Sequence, residues 1–98
     1  MVSKHDSTAN RLAKQHGTDY NKGQGPDIQT PGKVIEVESE GTVPDAGRQL
    51  AGFKRPVYVA GATKKATDKA LERYKDSTIG VMNPQGKIVK PSTRKKGK

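Results

Sequence analysis

The sequence predicts an α/β domain in which helices accompany the strands of a mixed sheet. Three observations predict it: apolar residues at helical spacing near the start of the chain, a compact run of β-forming residues at 56–60, and two turns that contain proline and glycine, at 30–33 and 83–86. The length of 98 residues is that of a single domain. We expect the order helix, three strands, helix, strand, and then a further helix and a closing hairpin.

The first predicted helix covers residues 6–16. Ala9, Leu12 and Ala13 repeat with the 3.6-residue period of a helix that buries one face. Gly17 follows directly, and glycine is suited to the left-handed backbone that ends many helices. The helix should therefore stop at this glycine.

Three short strands are predicted next, at 18–21, around Ile28 and at 33–39. The turn between the second and the third has Pro31 and Gly32 at its central positions. A type II turn prefers this pair, because its third residue needs a positive φ. We therefore expect a hairpin that lays the second strand against the third.

The second predicted helix covers 44–53, because proline tolerates the first helical turn and Asp45 suits the positive end of the helix dipole. The elements that follow are shorter or less sharply bounded. They are a buried strand at 56–60, a third helix from its N-cap Thr63 to about Asp76, and hairpin strands at 78–82 and 87–90 on either side of an Asn-Pro-Gln-Gly turn.

The composition excludes several classes of protein. There is no cysteine, so disulfides, thiolate zinc sites and a cysteine nucleophile are excluded. No run of about 18 apolar residues is present that could span a membrane. Only 30% of the residues are hydrophobic, which predicts a thin core. We expect a cytoplasmic protein with no membrane partner, which self-association as a homodimer can help to stabilise.

Charge is divided unevenly along the chain. Residues 1–50 hold six basic and seven acidic residues, whereas residues 51–98 hold thirteen basic and three acidic residues. A basic surface attracts nucleic acid through the release of counterions. We predict a single domain over 1–91 and a basic tail over 92–98 that is disordered in isolation, since this tail has no apolar residue.

The acidic residues of the first half meet on the predicted hairpin. Glu36 and Glu38 share one strand face with Val34, and the turn brings Asp27 toward them. Converging carboxylates are a common way to bind a divalent metal. Two alternatives stay open: Asp27 can cap a turn, and the two glutamates can form an exposed strand face.

These residues resemble the motif of the PD-(D/E)xK superfamily, the restriction-endonuclease-like nucleases. The similarity lies in Pro26-Asp27, in Glu36-Val37-Glu38 on the next strand, and in Gln49 of the second helix. It covers about residues 5–60, where the predicted element order also follows the αβββαβ core of that superfamily. The resemblance implies a restriction-endonuclease-like domain with a C-terminal helix and hairpin added to it.

The resemblance also implies an activity and roles for its residues. Asp27 and Glu36 would bind Mg²⁺, or Mn²⁺ in its place, and the protein would be a deoxyribonuclease that hydrolyses DNA. Glu38 and Gln49 would be further catalytic residues, with Gln49 facing the sheet from the second helix. The third motif position, which is lysine in most of the family, is Glu38 here. Candidates for a displaced cation are Lys33, Arg48 and Lys54.

Basic residues of the second half form two candidate surfaces for nucleic acid, on the third helix and on the last strand with the tail. Since no element that reads bases is visible, we expect them to contact the backbone or to recognise the shape of the nucleic acid. We expect this nucleic acid to be DNA rather than RNA. The predicted contacts are Lys64, Lys65, Lys69, Arg73, Lys87, Lys90, Arg94, Lys95 and Lys96.

Three functions from different classes remain open. The first is a metal-dependent endonuclease that uses Asp27, Glu36 and Glu38. The second is a domain of the same fold that binds nucleic acid without cleaving it, which the glutamate in place of lysine favours. The third is a small basic domain that binds an acidic protein.

Overall fold

The computed structural model describes residues 4–18 and 27–94. Within these residues a short 3₁₀ helix, Val43–Asp45, leads directly into the second α-helix. The three α-helices are α1 (Lys4–Gln15), α2 (Ala46–Leu50) and α3 (Lys64–Arg73).

Five strands in the described part of the chain form one mixed sheet, so the protein is a small α/β unit. They are ordered as in the sequence, with β1 antiparallel to β2, then β2, β3 and β4 parallel, and β5 antiparallel to β4. The crossovers run through α2 and α3, so the carboxyl ends of the parallel strands lie at one edge. The strands are β1 (Ile28–Thr30), β2 (Lys33–Glu38), β3 (Val57–Gly61), β4 (Gly80–Met82) and β5 (Ile88–Lys90).

The sheet buries a different cluster on each face, because successive strand residues point to opposite sides. Val34 and Val59 pack with α2 and α3 on one face, around the buried Leu50. Ile35 and Tyr58 pack on the other face under α1. The predicted alternation along β2 is therefore confirmed.

Several local predictions are also confirmed. Gly17 has φ 68° just beyond α1, as a helix-ending glycine should. Thr63 caps α3, because its hydroxyl accepts a hydrogen bond from the Ala66 amide at 3.1 Å. In the second turn, the Gly86 amide donates to the Asn83 carbonyl at 2.9 Å and closes the β4–β5 hairpin.

The turn between β1 and β2 differs from the prediction. Gly32 does not have the positive φ that a type II turn requires, so that prediction is wrong. The fixed angle of Pro31 suits more than one turn type, and the hydroxyl of Thr30 accepts a hydrogen bond from the Lys33 amide at 3.1 Å. The hairpin itself forms as expected.

Two predicted helices extended too far. The residue after α2, Ala51, is already extended, and Gly52 follows with φ 86°, so α2 cannot continue to Phe53. The last helical residue of α3 is Arg73 instead of Asp76. In the strand predicted at 18–21, Thr18 lies in a bend and residues 19–21 lie outside the described residues.

The packed domain continues beyond its predicted boundary at residue 91. The hydroxyl of Ser92 donates to the Thr78 carbonyl at 2.8 Å and accepts from the Val57 amide at 3.2 Å. Arg94 donates to the Leu50 carbonyl at 2.7 Å. Residues 92 and 94 of the predicted tail therefore contact the domain, while 95–98 lie outside the described part, and disorder of the tail in isolation stays a prediction.

Candidate metal centre

The β1–β2 hairpin brings Asp27 beside Glu36. Ile28 pairs with Ile35 across the antiparallel hairpin. Asp27, just before Ile28, therefore lies opposite Glu36, just after Ile35. The Asp27 amide donates a hydrogen bond to Glu36 Oε1 at 3.2 Å. The Val37 amide donates to Asp27 Oδ2 at 2.9 Å. The Glu36 carboxyl group is thus held by the backbone of Asp27, and the Asp27 carboxyl group by the backbone of the residue after Glu36.

All three acids of the predicted site are buried, with exposed fractions of 8% for Asp27, 5% for Glu36 and 7% for Glu38. Glu36 and Glu38 lie on the face of β2 that also carries Val34, which is the face covered by α2 and α3. The alternative of an exposed strand face is therefore wrong. Burying three carboxyl groups in so small a domain is costly unless a proton, a donor or a cation compensates them.

The environment raises the pKa of Glu36 to about 9 from an ordinary value of 4.5. Burial contributes most, because it disfavours the charged form, and a hydrogen bond to the Asp27 side chain and the charges of Asp27 and Glu38 add to it. At neutral pH Glu36 therefore holds its proton. A divalent cation would replace that proton and both negative charges would be satisfied.

Glu38 lies where β2 ends. Its carbonyl accepts a hydrogen bond from the Ala62 amide at 2.9 Å. Its charge and that of Arg73 both reach the buried hydroxyl of Tyr74, whose pKa is raised mainly by burial. That hydroxyl donates to the Val43 carbonyl at 2.7 Å and accepts from the Gly47 amide at 3.0 Å.

Sequence reasoning missed this polar role of Tyr74. Tyr74 fits the apolar stripe of α3, and a helical spacing gives no indication of what the phenol hydroxyl bonds. The observed role is to tie the end of α3 to the start of α2, directly above the face that carries the acids.

The donor set of the site suits a hard cation, although not as three acids together. Within residues 4–18 and 27–94, no group of three or more His, Asp and Glu side chains is placed to hold one metal ion. Asp27 and Glu36 are the two acids whose side chains share a hydrogen bond. Mg²⁺ commonly binds through one or two carboxylates and completes its octahedron with water, so this pair fits such an ion.

Gln49 does not take the position expected for it. It is exposed on α2, and Ala46 and Leu50 are the residues of that helix that pack inward. The expectation that Gln49 faces the sheet is therefore wrong.

The three candidates for a displaced cation lie elsewhere. Lys33 is on the opposite face of β2 from Glu36, and its Nζ lies 5.7 Å from the centre of the Tyr58 ring. Arg48 and Lys54 are exposed. The structure therefore places none of these three against the buried acid pair.

The predicted contacts on α3 form an exposed basic face. Lys64 pairs with Asp68 at 3.2 Å, and both side chains are largely exposed, so this pair is weak. Lys87, before β5, is also exposed. The exposed members on α3 are Lys64, Lys65, Lys69 and Arg73.

Two other predicted contacts have structural partners. Lys90 Nζ donates to the carbonyls of Ser77 and Ile79 at 3.0 and 2.6 Å. Arg94 donates to the carbonyls of Leu50 and Phe53 at 2.7 and 3.2 Å. Both side chains fasten the C-terminal strand and its extension to the domain. Lys95 and Lys96 lie outside the described residues.

Comparison with protein-family models, with curated proteins and with solved structures gave no match. In the described part of the chain, no helix is long and apolar enough to cross a membrane.

Proposed function

We propose that this protein is a metal-dependent nuclease that hydrolyses phosphodiester bonds of DNA. Asp27 and Glu36 would hold Mg²⁺ or Mn²⁺. The observation that carries the proposal is the buried, contacting pair of carboxyl groups, in which burial above all, and then the Asp27 side chain, raise the pKa of Glu36 to about 9. Such shifts concentrate at functional sites.

The alternative of a purely structural pair explains the burial less well. Apolar side chains of similar size would fill the same place without the cost of removing carboxyl groups from water. Glu36 also lies in a strand whose other buried positions, apart from Glu38, are valine and isoleucine. Keeping acids there is reasonable if their charges serve a ligand.

The roles of the residues follow from their positions. When bound, the metal would activate water and stabilise the negative charge that develops on the scissile phosphate. The backbone amide of Val37 fixes the orientation of the Asp27 carboxylate. Glu36 has to release its proton to bind the metal, and burial together with Asp27, and to a smaller extent Glu38, keeps that pKa high when no metal is present.

DNA would be held by its backbone on the exposed basic face of α3, with Lys87 as a further contact. A domain of this size reaches little of a duplex, so we expect two copies to act together when both strands are cut. Sequence-independent contacts of this kind should give binding that weakens steeply with salt.

A second candidate is a domain that binds nucleic acid without cleaving it. Two observations favour it: the third position of the motif is Glu38, and the described residues bring no group of three acids around one ion. In that case the protein would bind DNA equally well with and without chelator. Glu36 would then keep its proton.

Cleavage of supercoiled plasmid and of short single-stranded, duplex and branched DNA, with Mg²⁺ or Mn²⁺ and with EDTA, tests the proposal. We expect metal-dependent cleavage that Asp27→Asn abolishes. Glu40→Gln is the matched control, since Glu40 is an exposed acid close in sequence. Binding without cleavage at any metal concentration would favour the second candidate instead.

A further inference from the structure

A concave site, separate from the acid pair, lies at the edge where the parallel strands end. It is a cleft of about 390 Å³ between α1 and the start of α3, and the β4–β5 turn forms its third wall. Residues from three separate elements therefore meet there. Its polar lining residues are Ser7, Thr8, Arg11, Thr63, Lys64 and Gln85.

The charged side chains that line this cleft are both positive. Arg11 and Lys64 are the two charged residues that line it, and its remaining lining residues are neutral. Lys64 pairs with Asp68, but both side chains are exposed, so an anion can take the place of Asp68 at little cost. The lining thus favours a negatively charged group.

The start of α3 adds backbone donors. The amides of Ala66 and Thr67 are bonded to the side chain and the carbonyl of Thr63, at 3.1 and 3.0 Å. The amides of Lys64 and Lys65 have no acceptor among the described residues. Free amides at a helix start, together with the positive end of the helix dipole, bind anions.

An independent observation comes from α1. Thr8 lines the cleft and is only 3% exposed. Within residues 4–18 and 27–94 its hydroxyl has no hydrogen-bond partner. The residue is buried but its hydroxyl is not a fully buried atom, so the hydroxyl opens to the cleft, where a bound group with acceptor oxygens would accept a hydrogen bond from it.

The walls of the cleft are held in place before any ligand arrives. The Arg11 guanidinium donates to the Pro84 carbonyl, and Gln15 Nε2 donates to the Gln85 carbonyl at 3.1 Å. One nitrogen of Arg11 is used in this contact, and its other donors remain for a ligand. This fixed geometry lowers the entropy cost of binding.

We propose that this cleft binds a phosphate group. Phosphate suits it because the cleft offers two cationic side chains, backbone amides and hydroxyl groups to an ion with several acceptor oxygens. The source can be a phosphate of a nucleic acid strand or a free phosphate. The site rests on its own lining residues and holds whether or not the protein cleaves DNA, although the Ala62–Glu38 hydrogen bond places it beside the end of β2.

Amide shifts in ¹⁵N-HSQC titrations test the site, in EDTA and at constant ionic strength. The three probes are inorganic phosphate, an oligonucleotide with a 5′-phosphate and the same oligonucleotide with a 5′-hydroxyl, with chloride as reference ion. We expect saturable shifts at residues 7–11 and 63–66. Preference for the 5′-phosphate indicates a strand end, equal binding of both oligonucleotides an internal phosphate, and binding of phosphate alone a free ligand.

Variants separate this site from general attraction to a basic protein. Arg11→Gln and Lys64→Gln should weaken binding about tenfold, because each removes a charge-assisted hydrogen bond. Thr8→Val should weaken it about threefold. Lys14→Gln, an exposed residue on the same helix outside the cleft, should change it less than about twofold. Absence of saturable shifts with all three probes, or equal effects of the Lys64 and Lys14 variants, would overturn the proposal.

Discussion

At the scale of one residue, Glu36 shows how the fold raises the pKa of a carboxyl group. It is buried beside Asp27 and within the field of Glu38, so it holds a proton at a pH where an ordinary glutamate is charged. Between pH 4.5 and 9 the folded protein binds this proton and the unfolded chain releases it. Without metal, stability should therefore fall as the pH rises through that window.

Thermal unfolding in EDTA between pH 5 and 9 checks this dependence. The melting temperature of the wild type should fall with rising pH, whereas Glu36→Gln should remove most of the fall because glutamine cannot ionise. Glu40→Gln should behave as the wild type, since Glu40 is exposed. A wild-type curve that is flat or rising from pH 5 to 9 would show that Glu36 is ionised when folded.

At the scale of elements, the position of α3 is fixed by close contact with the end of β3. A Cβ added at Gly61 would lie 2.4 Å from the Thr67 amide nitrogen, closer than atoms can approach. The strand and the first turn of α3 therefore touch through a residue without a side chain. This contact also positions the start of α3 beside the cleft.

Gly61→Ala should therefore destabilise the protein by about 2 kcal/mol or more, because the helix has to move to make room. Gly41→Ala is the control, since no atom lies within 4 Å of the Cβ added at Gly41. This substitution should change the free energy of unfolding by less than about 0.5 kcal/mol. Urea denaturation measures both. Equal effects would mean that α3 does not pack against Gly61 as described.

At the scale of the whole molecule, the C-terminal extension holds distant elements together. Arg94 bonds the main chain after α2, and Ser92 bonds both Thr78 and the start of β3. The end of α2 and the start of β3 both lie far from the C-terminus in sequence. The residues after β5 thus complete the domain.

Removing residues 92–98 should lower the free energy of unfolding by about 2 kcal/mol or more, since several hydrogen bonds, most of them partly buried, are lost together. Removing 95–98 leaves all of those bonds in place and should have little effect. Urea denaturation of the two truncated proteins distinguishes these outcomes. If both behave alike, residues 92–94 are not part of the folded unit.

The sequence was sufficient for the features that depend on local chemistry. The alternation along β2, the glycine after α1 and the Thr63 cap all follow from periodicity and from single-residue preferences. The approach of Asp27 to Glu36 followed from the hairpin, even though its turn type was wrong, since the pairing depends on which residues oppose each other rather than on the φ of Gly32.

The remaining features depend on tertiary contacts that no local pattern contains. Arg94 and Lys90 appear as free cations in the sequence, but in the fold carbonyl groups distant in sequence accept their hydrogen bonds. The exposure of Gln49 depends on where α2 ends. The cleft between α1 and α3 joins residues about 50 positions apart, so it could be found only in the folded chain.

Paramagnetic broadening by Mn²⁺ in ¹⁵N-HSQC spectra at pH 8 tests the central claim, that Asp27 and Glu36 form a metal centre, most directly. We predict selective loss of the amide signals of 27–28 and 36–38 at substoichiometric Mn²⁺, its reversal by excess Mg²⁺, and no such loss in Asp27→Asn. Uniform broadening, or equal broadening in wild type and Asp27→Asn, would contradict a metal centre at this pair.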